Sequence, residues 1–206
     1  MPITPHTVCV IDDDPAVLKV TCSILDGNGY RCRCFNDASS YLQDYSPTDA
    51  CVVTDLKMPG IEGADLVERL RQIDPTLPVI VLSGYADVPT AVKLMEGGVA
   101  TIMEKPISSI ELLAAVARAV DKGTERRLRR DQAHDMRQRM SGLSEEELAV
   151  MQGVVQGTAN KVLASRLNMS ARTLDRRRHS VFEKMGVATA AELAAVSERY
   201  ALFGRR

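Results

Sequence analysis

Short apolar runs alternate with segments of helical periodicity over the first 122 residues of the chain. The apolar runs have the length of strands and lie near 7–11, 31–35, 50–54, 78–82 and 100–103. The segments with apolar residues at helical spacing lie near 15–26, 37–44, 63–73, 87–96 and 108–122. Strands that alternate with helices are typical of βα repeats. The pattern therefore predicts an α/β domain with a doubly wound, five-stranded parallel sheet.

From residue 143 onward the periodicity is purely helical. Ser144 with Glu147, and Thr189 with Glu192, have the spacing of capping boxes and mark two helix starts. A short turn, 168–170, separates the second and third helices, which gives them helix-turn-helix proportions. The C-terminal part is therefore predicted to be an all-α domain of four helices, near 145–156, 160–167, 171–185 and 190–200.

The segment 123–140 lies between these two patterns and is rich in arginine. It holds no proline, so a helical extension of the preceding helix is one form that this linker could take. Its arginine cluster either contacts DNA phosphate or forms a solvated face. The predicted organisation is thus a first domain over 1–122, a linker over 123–140 and a second domain over 141–206.

The net charge of −1 conceals opposite charge balances in the two parts of the chain. Residues 1–123 carry 10 Lys and Arg against 17 Asp and Glu, whereas residues 124–206 carry 16 against 10. A basic domain indicates a polyanionic partner, and the acidic part must then serve another purpose. Chance clustering of solvated charges is the alternative.

The sequence shows no sign of export or membrane insertion. No signal peptide is visible at the N-terminus, and no apolar run approaches the roughly 18 residues that cross a bilayer. We therefore expect a cytoplasmic protein without a membrane partner. The five cysteines all lie between residues 9 and 51, show no metal-ligand spacing, and are interpreted as reduced thiols.

Charged and polar side chains stand where the predicted strands end. Going along the chain, these are Asp12, Asp13, Asp55, Ser83 and Lys105. The carboxyl ends of parallel strands share one edge of a sheet, where ligand sites form. We therefore expect these side chains to meet in one cleft. Taken alone, each residue could be no more than a cap, a turn residue or a strand end.

A cleft with three crowded carboxylates suits a hard cation with oxygen ligands, and Mg²⁺ is the expected ion. A divalent ion neutralises phosphoryl oxygens during transfer, which leaves the protein mainly to position the reacting groups. Asp55 is the predicted nucleophile and would become an aspartyl phosphate. Ser83 would donate a hydrogen bond, and Lys105 would present a positive charge, to the oxygens of the transferred group.

These residues resemble the receiver domain of two-component response regulators over roughly residues 5–122. The matched features are the acidic pair, the phosphoacceptor, the conserved Ser or Thr and the lysine before proline, here Asp12 and Asp13, Asp55, Ser83 and Lys105. The resemblance implies a flavodoxin-like fold, a sensor histidine kinase as partner, and a metal site completed by the backbone carbonyl of Lys57. Segments 83–88 and 103–106 look most like the FixJ-type branch.

One position departs from the receiver pattern. Receivers commonly carry Phe or Tyr three residues before the lysine, where the ring turns inward as the Ser or Thr moves toward the phosphoryl group. Here that position is Ile102. The resemblance therefore implies a switch that lacks the inward-turning aromatic residue. A signal would pass instead through Ser83 and the surface of the neighbouring helices.

Residues 143–199 resemble the LuxR-type helix-turn-helix domain, whose pattern they match along nearly their whole length. Long basic side chains on a helix can reach base edges and phosphates in the major groove, and 171–185 is rich in them. Resemblance and spacing predict contacts with double-stranded DNA from Lys161, Thr173, Arg176, Arg177, Arg178 and Lys184. A solvated basic face is the alternative.

Two residues of this helix have divided roles. Successive helical residues turn by about 100°, so the run 176–179 cannot face the groove as a whole. Arg178 is predicted either to contact a phosphate or to form an internal bond to Glu147. Asp175 departs from the neutral or basic surface expected there, and it would either orient an arginine or accept a hydrogen bond from a cytosine amino group.

The two resemblances together indicate a two-component response regulator that acts as a transcription factor and not as an enzyme. Mg²⁺-dependent phosphorylation of Asp55 by the kinase is expected to control formation of a homodimer and its sequence-specific DNA binding. One alternative is a DNA-binding regulator whose receiver works independently of phosphorylation. Another is a phosphatase, although the residue two positions after Asp55 is Lys57 and not a second acid.

Overall fold

A computed structural model describes residues 5–84 and 88–203, with side chains described as far as residue 198. The chain forms two compact units that divide between Arg127 and Leu128, inside the predicted linker. Among the described residues, no helix combines the length and the apolar character that a membrane span requires.

The first unit is built on a parallel sheet. Its strands are β1 (Thr7–Ile11), β2 (Arg31–Phe35), β3 (Asp49–Asp55), β4 (Val79–Ser83) and β5 (Thr101–Glu104). Their order in the sheet is β2-β1-β3-β4-β5, and all neighbours pair in parallel. The predicted doubly wound, five-stranded sheet is confirmed, and its strand order is that of flavodoxin-like folds. The last three strands end one residue later than predicted, which makes Asp55 and Ser83 the final residues of β3 and β4.

Helices cover both faces of this sheet. They are α1 (Pro15–Asp26), α2 (Ala38–Gln43), α3 (Gly63–Ile73), α4 (Val88–Glu96) and α5 (Ser109–Ser141). Alternate residues of each strand point to opposite faces. On β1, Val8 and Val10 pack with residues of α1 and α5, whereas Cys9 and Ile11 pack with residues of α2 and α3. These two apolar clusters hold the sheet edge that carries the candidate site.

The helix α5 continues through the segment 123–140, which was predicted as a linker. Its residues 123–127 belong to the first unit. A Cβ atom added at Gly123 would lie 2.8 Å from Cδ of Pro78, so this position has no room for a side chain. The guanidinium of Arg127 donates to the backbone carbonyl of Asp49 and lies 3.4 Å from the carboxylate of Asp74. The beginning of the predicted linker is therefore anchored to the first unit.

The second unit contains four further helices, α6 (Glu145–Val155), α7 (Asn160–Arg166), α8 (Ala171–Met185) and α9 (Ala190–Phe203), around one apolar cluster. The predicted capping box at Ser144 is confirmed, because Ser144 and Glu147 bond each other's backbone N–H groups. Asn168 adopts the left-handed conformation with φ of 52°, and Ser170 caps α8 through the N–H of Thr173. These local features create the turn between α7 and α8.

The interpretation of all five cysteines as reduced thiols is wrong for one pair. Cys22 of α1 and Cys34 of β2 are joined by a disulfide, while Cys9, Cys32 and Cys51 are free. Sequence spacing gave no sign of this pair, because the two residues meet only when α1 packs beside β2. Burial raises the pKa of the Cys51 thiol to about 12, which keeps it protonated at neutral pH.

We expect Gly63→Ala to destabilise the first unit. Gly63 begins α3, and an added Cβ would press on the backbone carbonyl of Asp55 and lie 3.0 Å from Cα of Leu56. Both obstacles are backbone atoms, so the chain around Asp55 must shift, at a cost of about 1–3 kcal/mol. Urea unfolding followed by tyrosine fluorescence measures this, since the buried Tyr41 reports on this unit.

The matched control is Gly142→Ala, where the nearest atom to the new Cβ is the carbonyl oxygen of Arg139 at 3.4 Å, an ordinary contact. An unfolding midpoint of the Gly63→Ala protein equal to that of the wild type would show that the approach between α3 and β3 is not as close as described.

Candidate functional sites

The carboxyl edge of the sheet brings together charged groups from three strands. Asp12 follows β1, Asp55 ends β3 and Lys105 follows β5. The Lys105 ammonium lies 2.7 Å from Oδ2 of Asp12 and 2.5 Å from Oδ1 of Asp55. The predicted convergence of these three side chains is therefore observed, and a single cation joins two carboxylates that are 43 residues apart in the chain.

The two carboxylates are also held by the backbone. The N–H of Asp14 donates to Oδ1 of Asp12 at 2.9 Å, and the N–H of Lys57 donates to Oδ2 of Asp55 at 2.8 Å. Asp55 is only 7% exposed, although it lies at the end of a strand. The carboxylate is largely buried because β3 extends through Asp55 and Lys105 lies against it.

Lys105 is positively charged at neutral pH. Partial burial of the ammonium acts to lower its pKa, but hydrogen bonds and charge interactions with Asp12 and Asp55 outweigh this effect. The net result is a pKa above the ordinary value for lysine. The cleft thus holds a fixed positive charge against two carboxylates.

Ser83 lies at the same edge. It is 3% exposed, and its backbone carbonyl accepts a hydrogen bond from the N–H of Lys105 at 2.8 Å. Asp13, by contrast, is exposed and stands outside the ion pairs of Lys105. Ile102 is half-buried on β5 and packs against the apolar cluster that contains Val81, so an aliphatic side chain fills this position.

The donor set of the cleft fits a hard cation, because Asp12, Asp13 and Asp55 offer only carboxylate oxygens. Within the described residues, no three metal-ligating side chains converge closely enough to form a metal centre. The Lys105 ammonium is the cation that Asp12 and Asp55 hold in this structure. Lys57 contacts Asp55 through its backbone N–H, and the metal-binding role of its carbonyl stays a prediction.

The residues predicted to contact DNA fall into two groups. Lys161 and Arg176 are exposed, and neither has a polar partner in the described part of the chain. The other members bond to groups of their own unit: Arg177 to Glu146 at 2.5 Å, Arg178 to Asn160 at 2.7 Å, Lys184 to Glu147 at 2.6 Å, and Thr173 to the hydroxyl of Ser170 at 2.8 Å. Several basic side chains of α8 are therefore bonded to residues of their own unit.

Glu147 anchors α8 to α6. Its carboxylate accepts from the backbone N–H of Ser144 at 2.8 Å and from the side chains of Ser180 and Lys184, each at 2.6 Å. It is 2% exposed, and the bonds from Lys184, Ser180 and Ser144 lower its pKa to about 2. The result is a charged, fully bonded carboxylate between the two helices.

The suggested bond between Arg178 and Glu147 is not the one observed. Ser180 and Lys184 are four residues apart and so share the face of α8 that meets α6. Arg178 lies on another face, where it bonds Asn160 and its guanidinium stands 5.6 Å from the ring centroid of Phe182. The capping-box pattern identified Glu147 in the sequence, but no local pattern indicated Ser180 as its partner.

Sequence reasoning also missed Arg139. This residue lies near the end of α5, in the second unit, and its guanidinium donates to the backbone carbonyl of Met185 at 2.7 Å. It therefore binds a carbonyl at the end of α8 that has no partner within the helix. In the sequence Arg139 is one of several arginines in the linker, and nothing there distinguishes it from the rest.

Comparisons with known proteins find matches for both units of the chain. The model of the response regulator receiver domain matches residues 8–117, and that of the bacterial regulatory proteins of the luxR family matches residues 141–197. The chain is 36% identical over 191 residues to the transcriptional regulatory protein FixJ of Azorhizobium caulinodans, covering 92% of this chain and 90% of that protein. It is 31% identical over 193 residues to the response regulator protein TodT of Pseudomonas putida, covering 93% and 85%.

Two solved structures are similar to this chain over most of its length. The response regulator StyR superposes with a TM-score of 0.88 at 30% identity, covering 95% of this chain and 100% of that one. Full-length FixJ from B. japonicum superposes with a TM-score of 0.59 at 31% identity, covering 97% and 99%.

We expect Glu147→Gln to destabilise the second unit by about 1–3 kcal/mol at pH 7, because it removes charge-assisted hydrogen bonds from Lys184 and Ser180. The folded pKa of about 2 lies below the ordinary 4.5, so the carboxylate stabilises the fold above about pH 4.5. This contribution is lost as the pH falls toward 2. Hydrogen exchange of the α8 amides in the full chain measures the effect.

The matched control is Glu146→Gln. Glu146 is 56% exposed in its pair with Arg177, and breaking an exposed pair changes stability by at most about 1 kcal/mol. Equal protection of α8 in the two variants, or a Glu147→Gln effect that does not shrink below pH 4.5, would contradict the anchoring role of Glu147.

Proposed function

Because the chain belongs to the two-component response regulators with a receiver domain and a LuxR-type DNA-binding domain, we propose that phosphorylation of Asp55 controls its dimerisation and DNA binding. Members of this group, such as FixJ and TodT, are transcriptional or response regulators, and phosphorylation-dependent control is typical of the family. The observation that carries the proposal is the Lys105 ammonium between the carboxylates of Asp12 and Asp55.

The phosphoryl donor would be a sensor histidine kinase. An oxygen of Asp55 attacks the phosphorus atom, the bond from phosphorus to the donor breaks, and an aspartyl phosphate forms. Oδ1 of Asp55 is bonded to Lys105, whereas Oδ2 accepts the N–H of Lys57. Each oxygen has a second lone pair for the attack, and Lys105 would pair with the phosphoryl oxygens after transfer.

A bound Mg²⁺ would supply neutralisation of the negative charge that collects during transfer. The groups that would hold it are Asp12, Asp13, Asp55 and the backbone carbonyl of Lys57, which offer oxygen atoms only. Ser83 lies at the same edge, where its backbone carbonyl accepts a hydrogen bond from the N–H of Lys105. Its hydroxyl would donate to a phosphoryl oxygen. The two carboxylates around Lys105 raise its pKa above the ordinary value for lysine, against the lowering effect of partial burial.

Phosphorylation changes the charge of this edge. The phosphoryl group carries about −1.5 to −2 charges and replaces the single negative charge of the Asp55 carboxylate, so the net change beside the buried carboxylate of Asp12 is about −0.5 to −1. Such a change biases an equilibrium between two states of the receiver surface, and the favoured state would form a homodimer. A dimer presents two recognition helices to double-stranded DNA about one helical turn apart, which favours a two-fold-related site. These events would take place in the cytoplasm.

A specific observation supports one alternative, a regulator that works without phosphorylation. Ile102 packs as an aliphatic residue where receivers commonly have an aromatic ring, so the DNA-binding unit could respond to a partner without phosphorylation.

The other alternative is a phosphatase. The relatives of the chain are transcriptional regulators and not enzymes, and the residue two positions after Asp55 is Lys57 and not a second acid. A phosphatase is therefore the weaker alternative.

We expect the wild-type protein to gain one phosphoryl group when it is incubated with Mg²⁺ and acetyl phosphate. Asp55→Asn should gain none, because an amide cannot form the acyl phosphate. Intact mass spectrometry of the two proteins measures this, and omission of Mg²⁺ should abolish the adduct on the wild type. Asp65→Asn is the matched control, since Asp65 lies in the first turn of α3, away from the ion pairs of Lys105.

An adduct that persists in Asp55→Asn would place the phosphoryl group on another residue. Absence of any adduct on the wild type, under conditions where Mg²⁺ is shown to bind, would favour the regulator that works without phosphorylation.

A further inference from the structure

We propose that Asp175 reads DNA sequence, and that its carboxylate accepts a hydrogen bond from the amino group of a cytosine in the major groove. This role rests on the DNA-binding function proposed above and specifies which base one residue of α8 selects. Three observations support it: the position of Asp175 on α8, its freedom from internal partners, and the chemistry of an acid facing DNA.

Asp175 lies within the solvent face of α8. The exposed residues along one side of this helix are Arg172, Asp175, Arg176, His179 and Glu183. At 3.6 residues per turn they fall within an arc of about 100°. The buried residues of α8 are Leu174, Val181 and Met185, which lie on the opposite side against the apolar cluster. The acid therefore stands among the side chains that can enter a groove.

The basic residues of α8 differ in what they bind. Arg177, Arg178 and Lys184, on other faces of the helix, bond to Glu146, Asn160 and Glu147. In the described part of the chain, Asp175 contacts no basic side chain, and Arg172 and Arg176 contact no acid. Asp175 therefore orients no arginine in this structure, although that was one of its two predicted roles.

The chemistry of a carboxylate restricts what Asp175 can do beside DNA. An ionised carboxylate only accepts hydrogen bonds, and the DNA phosphates repel it. In the major groove the base-edge donors are the amino groups of cytosine and adenine, and acidic side chains pair with cytosine N4. Guanine and thymine present acceptors, which a carboxylate would leave unpaired and desolvated. Asp175 would thus lower the affinity for most sequences and spare those with cytosine at one position.

The position of Asp175 along α8 agrees with base contact. Residues near the N-terminus of a recognition helix are those that contact base edges. Asp175 lies in the second turn after the cap at Ser170, whereas Glu183 lies near the end of α8, close to the C-cap at Gly186. These two exposed acids on one face therefore provide a matched pair: one is placed to read bases and the other is not.

The test is selection of binding sites from a pool of random duplex DNA by the full chain, with Mg²⁺ and acetyl phosphate present and absent. The proteins are wild type, Asp175→Ala, Asp175→Asn and the control Glu183→Ala. Sequencing of the bound DNA gives the base preference at every position, and titration of one duplex without a site gives the non-specific affinity.

We expect the wild type to enrich cytosine at one position of each half-site. Asp175→Ala should lose about tenfold or more of the preference at that position alone, and should bind the duplex without a site more tightly. Asp175→Asn should shift the preference toward adenine, because an amide both donates to and accepts from that base. Glu183→Ala should keep the wild-type preference.

Two results for Asp175→Ala would overturn the proposal. Unchanged base preferences with tighter binding to all sequences would make Asp175 a solvated acid. Weaker binding together with loss of a guanine preference would mean that it orients an arginine on the DNA. A wild-type protein that enriches no sequence in either condition would refute the proposed sequence-specific DNA binding, and the role of Asp175 with it.

Discussion

The candidate site of the first unit is built on an ion pair network in which the Lys105 ammonium lies between Asp12 and Asp55. Parallel strands end at one edge, so three segments that are distant in sequence must bring their charges together there. Two buried carboxylates would repel each other without a cation between them. The same arrangement makes the site responsive, because any group that neutralises or adds charge at Asp55 changes what Lys105 binds.

The second unit distributes its charges differently. Glu147 and Glu146 hold Lys184 and Arg177 against α6, whereas Arg172 and Arg176 face solvent without acidic partners among the described residues. A helix so rich in arginine therefore presents only part of its positive charge to a ligand. The internal bonds fix the orientation of α8, and this orientation decides which side chains can reach base edges.

Hydrophobic periodicity and helix-capping residues predicted most of the fold. Strand alternation gave the five-stranded sheet, and caps such as Ser144 gave the helix starts, because both signals are local. The convergence of Asp12, Asp55 and Lys105 followed from the rule for parallel sheets. The partners of Arg178, the disulfide of Cys22 and the anchor of Arg127 were not predicted, since each depends on how elements distant in sequence pack together.

Phosphorylation at the Lys105 cleft is proposed to control DNA binding by the second unit. The most direct measurement is the affinity of the full chain for a duplex enriched from a random pool, titrated by fluorescence anisotropy with and without acetyl phosphate and Mg²⁺. Phosphorylation should raise the wild-type affinity about fivefold or more and leave Asp55→Asn unchanged. Equal wild-type affinity with and without the donor, on protein shown to be phosphorylated, would contradict the account.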